Sequence, residues 1–219
     1  MSPFRLLSTK VLKPAQRHRL VQAGLTYREW NFMVSLPLPF TFKNTGQSYI
    51  FTSQNAVNAV FNQGFVVAEK CYCVGQKTKS LLEEKGQKVL KMCENSADLA
   101  SFLVKQAKKD SFLFFTTQDR RPDIEKALHH HKIPLEIVEV YTTYTQPKAM
   151  GQFDGVLFFS PAGVNSYLTE NSLNDTLSFA IGTTTAETLK PYTQKLIIAK
   201  QPTVEHLIAA VRNHLTTQI

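Results

Sequence analysis

Short apolar runs alternate with amphipathic stretches along the whole chain. The runs Phe4–Thr9, Tyr27–Met33, Tyr49–Thr52, Cys71–Val74 and Val89–Met92 are followed by Phe112–Thr116, Glu136–Tyr141, Val156–Ser160, Ser178–Ile181 and Leu196–Ala199. Most are near-continuous in apolar residues, as strands buried on both faces of a parallel sheet must be. Helical spacing fills the intervals at Pro14–Ala23, Asn55–Asn62, Thr78–Lys85, Ala97–Lys108, Pro122–His131, Val164–Glu170, Thr185–Tyr192 and Val204–Leu215. Ser96 and Thr203, each with an acidic residue soon after, mark helix starts. Strand and helix in strict alternation predict parallel βαβ units.

The pattern also repeats. Ser53 and Ser160 occupy matching places in Tyr49–Asn58 and Val156–Asn165, 107 residues apart. Gly75 of Cys73–Thr78 and Gly182 of Ala180–Thr185 keep that spacing, as do Gln87–Leu90 with Gln194–Ile197 and Leu6–Thr9 with Leu113–Thr116. One ungapped register across four segments implies an internal duplication. Two proline-bearing segments, Leu36–Phe40 and Tyr141–Pro147, interrupt the rhythm at equivalent points. Proline favours extended chain and cannot donate to a ladder, so both read as linkers rather than core strands. The expected architecture is two similar five-stranded parallel-sheet domains of flavodoxin-like α/β type, joined by a two-stranded connector. Residues 1–35 and 147–219 form the first, discontinuous domain, residues 41–140 the second, and 36–40 with 141–146 the connector strands.

Composition narrows the function. The 219 residues are 43% hydrophobic, with 15 Phe, enough for a sizeable core and against disorder. No apolar run approaches the ~18 residues of a membrane span. The start, Met1–Leu7, has neither an apolar core nor a cleavage site, so no signal peptide is expected. Cys71, Cys73 and Cys93 are too few for a disulfide framework, and C-x-C on a strand is not a zinc spacing. A reduced, cytoplasmic, soluble protein is expected. Its net charge of +8 favours an anionic partner.

Ligands of open parallel sheets bind beyond the carboxyl ends of the strands, where helix N-termini offer free N–H groups. Those loops here are rich in small donors: Thr52-Ser53-Gln54-Asn55, Gly75–Thr78, Thr116–Gln118, Ser160-Pro161-Ala162-Gly163 and Gly182-Thr183-Thr184-Thr185. Each alone is an ordinary cap; together they suit carboxylates or phosphates. Arg120 and Arg121 follow a strand end, and Tyr141 closes another, where a phenol packs, hydrogen-bonds or donates a proton. Neither G-x-x-x-x-G-K-[ST] nor G-x-G-x-x-G occurs, and no spaced His/Cys set suggests metal. His129-His130-His131 reads as a solvated helix end.

Ile50-Phe51-Thr52-Ser53 with Ala56-Val57, Phe158-Phe159-Ser160-Pro161 with Gly163-Val164, Ile181-Gly182 with Thr184-Thr185-Ala186, and the closing Gln201–Leu207 together resemble the uroporphyrinogen-III synthase family. The resemblance implies two α/β domains on a two-stranded connector, with substrate in the cleft between them. It implies a lyase that dehydrates and cyclises hydroxymethylbilane, a linear tetrapyrrole with eight carboxylates, inverting the terminal pyrrole ring through a spiro intermediate. No metal or organic cofactor is implied, and a monomer is expected. Tyr141, in Val138–Thr142, matches the family's cleft tyrosine and would be the proton donor. Thr52, Ser53, Gln54, Asn55, Gly75, Arg121, Ser160, Pro161, Gly163, Thr183, Thr184 and Thr185 would bind substrate.

Two rival readings stand beside this one. Two α/β domains with a hinge also describe a protein that binds a small polyanion without catalysis. A nucleic-acid partner is disfavoured, because basic residues do not interleave with aromatics along one segment. No membrane partner is expected.

Overall fold

A computed structural model describes residues 4–43, 47–64 and 70–216. The first three residues of the amino-terminal segment and residues 217–219, all assigned above to the first domain, lie outside the described residues. The chain divides into two compact units, Met1–Val34 with Tyr144–Ile219, and Ser35–Thr143.

In chain order the elements are β1 (Arg5–Ser8), α1 (Pro14–Gln22), β2 (Thr26–Glu29), β3 (Met33–Pro37), β4 (Ser48–Phe51), α2 (Gln54–Asn62), β5 (Cys71–Val74), α3 (Gln76–Glu84), β6 (Val89–Cys93) and α4 (Ser96–Gln106). The second set is β7 (Phe112–Thr116), α5 (Asp123–His130), β8 (Leu135–Glu139), β9 (Tyr141–Thr145), β10 (Gly155–Phe158), α6 (Pro161–Leu168), β11 (Leu177–Ala180), α7 (Thr183–Leu189), β12 (Leu196–Ile198) and α8 (Val204–Thr216). The first unit holds a parallel sheet in the order β12-β11-β10-β1-β2, and the second one in the order β6-β5-β4-β7-β8. β3 and β9 form a separate antiparallel pair.

The two orders are the same once the duplication is applied, β1 matching β7, β2 matching β8, and β10, β11, β12 matching β4, β5, β6. Each sheet takes its first two positions from one copy of the repeat and its last three from the other. Numbered by position in the repeat, each runs 2-1-3-4-5, the flavodoxin-like order.

Strand alternation sends side chains to two faces. In the second unit Tyr49, Phe51, Cys71, Cys73, Leu113 and Phe115 pack under α2 and α3 against Ala56, Val57, Val60 and Leu82. Ile50, Tyr72, Phe112 and Phe114 face α4 and α5 through Leu99, Leu103, Ile124 and Leu128. In the first unit Leu6, Leu157 and Phe179 meet Leu20, Leu207, Ile208 and Val211, while Leu7, Val156 and Phe158 meet Val164, Tyr167 and Leu189. Central strands are covered on both sides, hence their unbroken apolar runs. The edge strands β2 and β6 keep one side partly exposed.

The expected strand Tyr27–Met33 is two elements. β2 stops at Glu29, whose carboxylate is held by Arg17 at 2.9 Å and accepts from the Leu12 N–H, so the chain turns out of the sheet there. The connector strand then begins at Met33, ahead of the proline segment, with Pro37 as its last residue. Ser35 meets Thr143 at 3.2 Å, and the Leu38 N–H donates to the Val140 carbonyl. α5 ends at His130 with His131 as its C-cap, as a solvated helix end requires. Among the described residues no helix is long and apolar enough to cross a membrane, and no group of three His, Cys, Asp or Glu side chains could hold a metal ion.

Candidate functional site

In a 2-1-3-4-5 sheet the switch point lies between positions 1 and 3, and ligands sit beyond the carboxyl ends there. In the second unit those strands are β7 and β4. A cavity of about 340 Å³ opens at this place, lined by Thr52 and Ser53 after β4, Thr116 and Thr117 at the end of β7, Val74 and Glu94 at the ends of β5 and β6, Arg120 and Arg121 before α5, and Tyr141.

Tyr141 is delivered by backbone bonds on both sides. The Val140 N–H donates to the Thr116 carbonyl at 2.9 Å, and the Val140 carbonyl accepts from the Leu38 N–H at 2.9 Å. The ring is buried, 8% exposed. Ser53 is the N-cap of α2 with extended backbone, its Oγ accepting from the Ala56 N–H at 3.1 Å. The same Oγ donates to the Tyr141 hydroxyl oxygen at 3.0 Å. Asn55, in the first turn of α2, donates from its side-chain amide to Ser35 Oγ at 2.9 Å, and Gln54 beside it is exposed. Gly75 caps α3 at φ +82°, a left-handed conformation that favours glycine, and its N–H donates to the Cys93 carbonyl.

Charge around the cavity is mixed. Arg120 is engaged by Glu125 at 2.9 Å and Glu139 at 3.4 Å. Arg121 is exposed and, among the described residues, makes no ion pair, so its guanidinium is the cation open to a ligand. Thr117 Oγ1 is buried with no hydrogen-bond partner among the described residues. Such a group costs roughly 1–3 kcal/mol unless something bonds to it. The N-terminus of α4 also reaches the cavity, with Asn95 as N-cap accepting from the Asp98 N–H at 2.9 Å. Asn95 and Ser96 also line the cavity; Ser96 reads in the sequence as a plain helix start, and the cap is Asn95 one residue earlier. Their position after a strand end, like that of Ser53, was the available signal.

The structure therefore brings Thr52, Ser53, Arg121 and Tyr141 to one cavity, with Gly75 following the lining residue Val74. Gln54 and Asn55 lie beside that set at the start of α2, and the remaining expected residues occupy the equivalent strand ends of the first unit. Ser160 caps α6, its Oγ accepting from the Gly163 N–H at 3.1 Å, with Pro161 in the first turn. A Cβ on Gly163 would lie 3.2 Å from Ser160 Oγ, so glycine keeps this cap uncrowded. Thr183 and Thr184 are exposed at the start of α7, whereas Thr185 is 1% exposed and turned into the core.

The family model for uroporphyrinogen-III synthase (HemD) matches residues 37–209. Among solved structures, a uroporphyrinogen-III synthetase from Helicobacter pylori superposes with a TM-score of 0.71 at 17% identity, covering 98% of this chain and 99% of that one. A mutant uroporphyrinogen III synthase from Thermus thermophilus superposes with a TM-score of 0.64 at 13% identity, again over 98% and 99% of the two chains. No curated protein matches in sequence.

Proposed function

Since the chain belongs to the uroporphyrinogen-III synthase (HemD) family, we propose that it converts hydroxymethylbilane to uroporphyrinogen III, a dehydrative cyclisation in tetrapyrrole and haem biosynthesis. The observation that carries this reading is the phenol of Tyr141 at the switch point, buried on its ring side and accepting a hydrogen bond from Ser53.

The hydroxymethyl carbon of the substrate loses its oxygen when an electron-rich pyrrole nitrogen pushes its lone pair toward that carbon. Hydroxide is a poor leaving group. Tyr141 gives its proton to the departing oxygen, so that water leaves, and the resulting cation is attacked by the substituted carbon of the terminal ring to form the spiro intermediate. That intermediate reopens and closes with the ring inverted. The ring proton released on closure restores the phenol. Proton donation of this kind contributes typically 10²–10⁴-fold.

Without enzyme the bilane closes to the uninverted isomer, so the larger task is holding the chain in the inverting geometry. Thr52, the unpartnered Thr117 hydroxyl and the Arg121 guanidinium are suited to substrate carboxylates in the second unit. Gln54, Asn55 and Gly75 border that set. Ser160, Pro161, Gly163, Thr183, Thr184 and Thr185, at equivalent strand ends of the first unit, are proposed as donors to other carboxylates, Thr185 through its backbone N–H because its side chain is buried. On this reading the protein acts as a cytoplasmic monomer and takes no metal or organic cofactor.

The test supplies hydroxymethylbilane, oxidises the products and separates the type I and type III porphyrins. Type III should dominate and scale with protein concentration, and Tyr141→Phe should lower its rate roughly 10²-fold or more without lowering the unfolding midpoint. Type I alone from folded protein would remove the synthase activity and leave a polyanion-binding protein.

A further inference from the structure

We propose that Ser53 is a positioning residue for Tyr141 and not a ligand for a substrate carboxylate. This inference rests on the reading of Tyr141 as the proton donor. A serine hydroxyl has one proton to give and two lone pairs. Ser53 Oγ accepts from the Ala56 N–H at 3.1 Å and gives its proton to the Tyr141 oxygen at 3.0 Å. It has no second proton for a carboxylate. The phenol, already an acceptor, keeps its own proton for another group, and Tyr141 lines the cavity in which such a group can sit. The serine thus sets which way the phenol proton points.

The repeat supplies an internal control. Ser160 is the same N-cap in the other copy, accepting from the Gly163 N–H at 3.1 Å. The residue 107 before Tyr141 is Val34, which has no hydroxyl. Capping explains a serine in both copies; the bond to a phenol exists in one. A second link holds the same helix end: Asn55 donates to Ser35 Oγ, which meets Thr143 Oγ1 at 3.2 Å. Tyr141 and Thr143 are two apart on β9 and so share a face. The first turn of α2 is therefore tied to that face by two hydroxyl contacts.

When the carbon–oxygen bond breaks, the Tyr141 proton moves to the leaving oxygen and the Ser53 proton stays on Ser53. Its hydrogen bond then meets the negative charge left on the phenol oxygen, a donor aimed where charge develops. Ring closure releases the proton that returns to Tyr141.

A double-mutant cycle on type III formation from hydroxymethylbilane tests this. Ser53→Ala should lower kcat by about tenfold or more, with KM changed by less than about twofold, and Ser53→Thr should restore most of the rate. In a Tyr141→Phe background, Ser53→Ala should change the residual kcat by less than about twofold, since coupled residues are not additive. Ser53→Gly keeps a favourable N-cap and serves if the alanine variant folds poorly. A raised KM at unchanged kcat, or effects that multiply across the cycle, would make Ser53 a substrate ligand and overturn the proposal alone. Full activity in Tyr141→Phe would instead overturn the reading of Tyr141 and this inference with it.

Discussion

The three cysteines sit in the second unit, all buried and free. Cys71 and Cys73, two apart on β5, share the face under α2 and α3. Burial pushes the Cys71 thiol up to about 12 and the Cys73 thiol up to about 11, and moves Cys93 the same way. A raised thiol leaves stability untouched below the ordinary value of 9.0. Above it the unfolded chain ionises while the folded one does not, so stability is lost as pH rises toward the folded values. Between pH 9.0 and its folded value Cys71 then removes up to ~1.4 kcal/mol per pH unit, and the other two act in the same direction. Urea unfolding at pH 8 to 10 should show this decline, and Cys71→Ala should make it shallower; an unchanged slope would dissociate it from Cys71. The sequence alone left these thiols without a role, because a C-x-C motif does not reveal which face its strand covers. Ser53 was legible as a strand-end residue, whereas Tyr141, expected to close a strand, opens β9, and their mutual bond was not legible because 88 residues separate them. Arg120 and Arg121 look alike in sequence, and only the placement of Glu125 and Glu139 shows which guanidinium is engaged.

At the level of elements, apolar runs identified every central strand because burial on both faces favours apolar residues, with Ser8, Ser48, Thr116 and Ser178 as the buried polar exceptions. The connector was harder. β3 reads Met-Val-Ser-Leu-Pro and belongs to neither five-stranded sheet, so its residues are only partly covered and its pattern merges with β2. Proline signalled the break but lay at its far end. Caps were the more reliable punctuation: Ser53 and Ser160 each precede a helix and each accept an N–H three residues on. Ser160 has no phenol to serve, so its removal isolates the cap. Ser160→Ala should lower the free energy of unfolding by about 1 kcal/mol, the usual cost of losing a serine N-cap. Urea denaturation reads this directly. An unchanged midpoint would mean that other groups satisfy the Gly163 N–H once the serine is gone.

For the molecule as a whole, the 107-residue register foretold two like sheets, and the two proline-bearing segments foretold the exchange that builds them. Each copy of the repeat gives two strands to one unit and three to the other, so both sheets are built from both copies. The exchange follows from the connector, which leaves each copy after its second strand and delivers its remaining three elsewhere. One consequence is chemical asymmetry: the units share strand order and serine caps, while the phenol stands only where β9 enters. The net charge of +8 is a property of the full chain, and it bears on encounter more than on chemistry. A substrate with many carboxylates approaching a basic protein should be steered, and steering is screened with a Debye length of about 8 Å at physiological salt. Raising salt from about 20 mM to about 500 mM should therefore lower kcat/KM for hydroxymethylbilane by roughly tenfold or more. At saturating substrate kcat should change far less, because the proposed proton donation by Tyr141 follows capture. A salt-independent kcat/KM would show that the positive charge lies away from the substrate's path, and would leave Arg121 and the loop donors to capture it at short range.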